Sequence, residues 1–107
     1  MKVPIIIDNC GDVLVFSSVA AASSYMEAVD VLNAEYVGYD CDGRLLDISV
    51  AEQSRVTISI AEDEPSHCDA LRKTLVDFLT YMKVSKDWLS AANLEELVTE
   101  ASKFKVG

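Results

Sequence analysis

Two stretches of strict alternation constrain this chain more than any other feature. Leu46, Ile48 and Val50 alternate with Asp47 and Ser49, and Val56, Ile58 and Ile60 alternate with Arg55, Thr57 and Ser59. A period of two places every second side chain on one face, so each stretch predicts a strand with one buried and one wet face, the habit of antiparallel sheets. Residues 52–54 between them supply the turn. Upstream, residues 35–39 are rich in β-formers and run into Asp40-Cys41-Asp42-Gly43, a turn signal that makes a hairpin with residues 46–50. A first hairpin is predicted from Val3–Ile7 and Val13–Phe16, which flank the turn formers Asp8, Asn9, Gly11 and Asp12.

Helical spacing appears elsewhere. Val19, Ala22, Tyr25, Met26 and Val29 recur behind a Ser17-Ser18 cap, predicting a first helix that ends near Asp30. Pro65 breaks the chain, and Ser66 with Asp69 has the spacing of a capping box for a helix carrying Leu71, Leu75, Phe78, Leu79 and Met82. Asp87 is placed to cap a short turn with Trp88 and Leu89. Asn93 with Glu96 opens a last helix whose inner face is Leu94, Leu97, Val98 and Ala101. The order is β-β-α-β-β-β-α-α: an α+β fold in which an antiparallel sheet of about five strands carries helices packed on one face. All 107 residues are expected to form a single domain, since no linker and no solenoid repeat interrupts them.

Charge then narrows the function. Eighteen acids against nine bases give a net charge of −9. The excess lies mainly in residues 1–52, where nine acids face only Lys2 and Arg44. Such a surface repels nucleic acid and speeds encounter with a cationic partner. No stretch has the roughly 20 apolar residues a membrane span needs, and the opening apolar run is too short for a signal-peptide core, so a cytoplasmic protein with no membrane partner is expected. Three widely spaced cysteines, Cys10, Cys41 and Cys68, predict free thiols and no disulfide framework.

Motifs for chemistry fail on inspection. Asp40-Cys41-Asp42-Gly43 opens like a calcium loop, but Arg44 falls at the fifth position, Leu45 where glycine is required and Ala51 where a bidentate Glu belongs. His67 and Cys68 are neighbours on a helix, roughly 100° apart, and do not face each other as a nucleophile and its base would. No phosphate loop, nucleophile elbow or zincin motif is present. Catalytic residues, metal ligands and cofactors are therefore all expected to be none. The candidate partner-binding residues are Glu27, Asp30, Glu35, Tyr36, Tyr39, Asp40, Asp42 and Asp47, because tyrosines interleaved with carboxylates suit an interface with a basic protein.

Residues 11–31 (GDVLVFSSVAAASSYMEAVDV) and 35–46 (EYVGYDCDGRLL) resemble small acidic bacterial immunity-type proteins associated with polymorphic toxins. The resemblance extends more thinly over the Leu-rich helix and the closing Asn-Leu-Glu-Glu-Leu-Val segment. It implies a non-catalytic cytoplasmic inhibitor, whose partner is a cognate basic toxin domain. The alternatives are a structural or adaptor module, monomer or homodimer through a strand edge, and a thiol-dependent enzyme.

Overall fold

The computed structural model describes residues 1–104. Five strands, β1 (Ile5–Asn9), β2 (Asp12–Phe16), β3 (Tyr36–Tyr39), β4 (Leu45–Val50) and β5 (Val56–Ile60), form one antiparallel sheet in the order β2-β1-β3-β4-β5. The five helices are α1 (Val19–Tyr25), α2 (Ala28–Leu32), α3 (Cys68–Tyr81), α4 (Lys86–Ala91) and α5 (Leu94–Ala101). The α+β class and the five-stranded antiparallel sheet agree with the sequence reading. The distribution of helices does not.

Helices cover both faces of the sheet. Ile6, Val13, Val15 and Tyr39 point to one side, where Leu71, Leu75, Phe78 and Leu79 of α3 and Leu97, Val98 and Ala101 of α5 pack on them. Ile5, Ile7, Leu14 and Phe16 point to the other, where Ala22 of α1 and Met26 complete a second core. The reason is visible in β1: Ile5, Ile6 and Ile7 are all fully buried, and a continuous apolar triplet has no wet face. Only β4 and β5 keep the expected alternation. Leu46, Ile48, Val56, Ile58 and Ile60 join the second core while Asp47, Ser49 and Ser59 face solvent.

The first helix is also two helices. Met26 and Glu27 are extended (ψ 139° at both), so α1 stops at Tyr25 and α2 restarts at Ala28. Ser18 caps α1 through its hydroxyl, 3.0 Å from the Ala21 N–H. The break lets Met26 drop into the second core and turns Val29, expected on the same buried stripe, out to solvent. Tyr25 is exposed as well, although its ring packs on Phe16 at 5.3 Å.

Of the two predicted capping boxes, one forms. Asn93 and Glu96 exchange side-chain to backbone bonds of 2.8 and 2.9 Å. At the start of α3 the N-cap is His67, and the Ser66 hydroxyl is instead bonded to Glu62 at 2.9 Å. Asp87 does not cap α4 either; it lies inside the first turn, after Ser85. The α3 stripe is otherwise as expected, with Leu71, Leu75, Phe78 and Leu79 buried and Met82 at the surface. Leu75→Ala should lower stability by about 2–5 kcal/mol, the range for emptying a closed core site, measured by denaturant titration. A cost within error would show that this packing is loose.

Candidate functional site

The eight residues singled out from the sequence fall into separate places. Asp40 and Asp42 belong to a structural clamp at the β3–β4 turn. Asp40 is fully buried, and its carboxylate accepts the backbone N–H groups of Lys2 (3.2 Å), Asp42 (3.0 Å) and Arg44 (2.9 Å) and the Arg44 Nη1 (3.2 Å). Asp42 takes the same guanidinium at 3.0 Å and lies 3.7 Å from the Lys2 ammonium. Burial alone would push the Asp40 carboxyl up, but these donors hold it below the usual carboxylate range. The two bases of the acidic N-terminal half are thus both spent here. The Asp40 side chain, sealed from solvent and bonded to internal donors, presents no surface to a partner.

The same turn fastens other parts of the chain. The His67 N–H donates to the Gly43 carbonyl at 3.0 Å, the Cys68 Sγ–H lies 3.1 Å from the Asp42 carbonyl oxygen, and the Cys41 N–H donates to the Lys2 carbonyl at 3.2 Å. Arg44 Nε reaches the Asp63 carbonyl at 2.8 Å. The N-terminal segment, the hairpin and the start of α3 therefore meet on one pentapeptide. Asp-Cys-Asp-Gly-Arg reads as a clamp, with Gly43 at φ +90° to close it.

Tyr39 and Asp47 lie apart from both. Tyr39 is buried in the core under α3, where burial and the nearby Asp8 charge raise its hydroxyl pKa. Its ring thus belongs to the core and leaves little surface for a partner. Being three positions from Tyr36 on one strand, it points to the opposite face of the sheet. Asp47 is exposed on β4, facing away from the α1–α2 side.

Glu27, Asp30, Glu35 and Tyr36 do come together, around α2. The Tyr36 hydroxyl donates to Asp30 Oδ2 at 3.3 Å, and the Glu35 carboxyl lies beside the Asp30 carboxyl. The neighbouring Asp30 carboxyl pushes Glu35 above its ordinary range. Burial, then Asp30, raises the Tyr36 hydroxyl likewise. Among the described residues no lysine or arginine pairs with Glu27, Asp30 or Glu35. Beside them the same short helix exposes Val29 (57%) and Leu32 (74%), three positions apart and hence on one side. Sequence reasoning placed Val29 in the core and ended its helix before Leu32. The available signal was Asp30 lying between two large aliphatics on a helix too short to bury both.

The Cys10 Sγ–H reaches the Glu35 carbonyl at 3.8 Å, while the other two thiols and the histidine are engaged elsewhere. His67 Nε2 lies 3.3 Å from Glu62, while Cys68 Sγ turns to the Asp42 and Pro65 carbonyls, each at 3.1 Å. Cys41 lines a shallow cleft of about 500 Å³ with Lys2, Val3, Pro4 and Leu94. Burial and the neighbouring Asp42 and Asp40 charges raise its pKa, the reverse of what a thiolate nucleophile requires. Among the described residues no three His, Cys, Asp or Glu side chains converge as a metal site would, and no helix is long and apolar enough to cross a membrane. Comparison with protein-family models, with curated proteins and with solved structures returned no match to the chain.

Proposed function

We propose that this protein is a non-catalytic binding protein of the immunity or inhibitor type, working in the cytoplasm, that neutralises a basic toxin domain by docking it on the α2 surface. The observation that carries the reading is the juxtaposition on that helix. Two aliphatic side chains stand in water next to a pair of carboxyls that repel each other and that no lysine or arginine among the described residues pairs with. An arginine or lysine from a partner relieves the repulsion, and Val29 and Leu32 supply the apolar centre that a charged rim surrounds in protein interfaces. Tyr25 ends α1 and Glu27 lies on the α1–α2 connection, so the patch is continuous in sequence. The acidic excess of the N-terminal half supports the same partner chemistry, because steering by net charge raises association rates at low salt.

The test is co-expression with the basic products of neighbouring open reading frames. One of them should be toxic alone and tolerated with this protein, and Asp30→Lys with Glu35→Lys should abolish the rescue while leaving the thermal midpoint of the free protein unchanged. With purified partners, the double variant should slow association and flatten its salt dependence, since exposed charges are screened beyond about 8 Å at physiological ionic strength. Full rescue by the double variant removes α2 from the interface. The pH dependence has a definite sign. A bound cation favours ionised Glu35, whose carboxyl is raised in the free protein, so affinity should fall as pH drops through that raised range, and the dependence should vanish in Glu35→Gln.

A further inference from the structure

We infer that β5 is the seat of a two-fold homodimer, in which the β5 edges of two copies pair antiparallel, centred on Ile58, to form one continuous ten-stranded sheet. This surface is independent of the α2 patch. β5 is the last strand of the sheet, and its partner on the inner side is β4 alone. The Ala61 N–H donates to the Leu45 carbonyl and the Ala51 N–H to the Arg55 carbonyl. Those two bonds set the phase of the ladder: residues 55, 57, 59 and 61 direct their backbone groups inward to β4, and Val56, Ile58 and Ile60 direct theirs outward. Among the described residues nothing hydrogen-bonds that outer row. The strand carries none of the usual protections of an edge, having no proline, no bulge and no charged residue between Val56 and Ile60.

The occupant is identified by self-complementarity. An antiparallel pairing that uses all three outward residues has one register, Val56 with Ile60, Ile58 with Ile58 and Ile60 with Val56 of the second copy. In that register the side chains match on both faces. Val56, Ile58 and Ile60 belong to the second core, and their counterparts extend it across the seam; on the other face Thr57 meets Ser59, hydroxyl to hydroxyl. The two-fold axis runs normal to the sheet, so the apolar faces of both copies lie on the same side.

The ends of the seam match as well. Arg55 falls opposite Ala61 of the second copy and beside the start of its Glu62-Asp63-Glu64 run. Arg55 is exposed, and among the described residues no carboxylate pairs with it. Each copy thus brings a free cation to the acidic run of the other.

Sedimentation of the protein alone tests this without any other partner. The expected result is a species of twice the 11.7 kDa chain mass that dissociates on dilution. Amide hydrogen exchange at Val56, Ile58 and Ile60 should be slow in the dimer and speed up as it dissociates. Ile58→Pro removes a donor the monomer does not use and should raise the dimer dissociation constant by about tenfold or more, the loss of two hydrogen bonds per dimer. Arg55→Glu, a change at an exposed side chain, should weaken the dimer while leaving the thermal midpoint of the monomer in place. A monomer at every concentration up to the millimolar range overturns the proposal, as does a dimer that both variants leave intact.

Discussion

Asp40→Ala should be the most damaging single substitution among the polar residues of this protein, lowering stability by about 3–5 kcal/mol, the range for removing one partner of a buried ion pair. The carboxylate is fully buried and satisfies three backbone N–H groups and the Arg44 guanidinium at 2.9–3.2 Å. Its loss leaves those donors facing a methyl group where their acceptor stood. Asp40→Asn should recover little, because its amide NH2 would confront the two donors accepted by whichever oxygen it replaces. Denaturant titration measures both. A loss under about 1 kcal/mol for Asp40→Ala, the value of an ordinary surface pair, would mean that the turn is held by backbone geometry alone. The pH dependence follows from the direction of the Asp40 shift. A folded-state pKa held below the unfolded value contributes stability that is fully present above the ordinary Asp range and is lost as pH falls through the depressed value. That part of the acid sensitivity should be missing in Asp40→Asn. Charge reversal at Asp40 would for the same reason report on folding, whereas reversal at Asp30 and Glu35 would report on docking.

Gly43→Ala is expected to be the second large lesion, and it acts on the same clamp from the backbone side. Gly43 has φ +90°, and a Cβ built there would lie 2.7 Å from the Cys68 sulfur and 2.9 Å from both the Cys68 backbone N and Cα. The conformation alone costs an L-residue about 1–3 kcal/mol. The contacts add to this because the obstructing atoms are the first residue of α3, not the free end of a side chain. Gly38→Ala is the control. Its Cβ would meet Ile48 Cδ1 at 3.0 Å and Ile7 Cδ1 at 3.1 Å, methyl groups that rotate. Thermal midpoints should therefore drop much further for Gly43→Ala than for Gly38→Ala. Equal drops would indicate that the approach of α3 to the β3–β4 turn is not tight.

The clamp and the α2 patch divide the acidic residues by role. Aspartates 40 and 42 hold the N-terminal segment, the β3–β4 turn and α3 together, and they use up the local bases in doing so. Among the described residues no cation pairs with the carboxyls around α2, whose aliphatic neighbours are exposed. This division separates the experiments, since stability probes the clamp and partner binding probes α2.

How far local pattern could reach is clear from particular elements. Period-two alternation located β4 and β5, and the turn formers bounded them, because a half-wet strand must write its burial into every second residue. The Asn93–Glu96 box was legible because both bonds lie within four residues. Ser66–Asp69 had the same spacing and formed no box, since Glu62 competes for the hydroxyl.

The class of fold, the strand count, the turn positions and the lopsided charge were determined by the sequence itself, each being a property of near neighbours or of simple sums. Three things were decided only by tertiary structure: which side of the sheet each helix covers, that Asp40 is sealed inside while Asp30 is not, and that the helix break at Met26 delivers Val29 and Leu32 to the surface. Each depends on contacts between segments far apart in the chain, such as Lys2 with Asp40 and Gly43 with His67. The energy of burying a side chain depends on what stands opposite it in space, and no window of neighbouring residues contains that information.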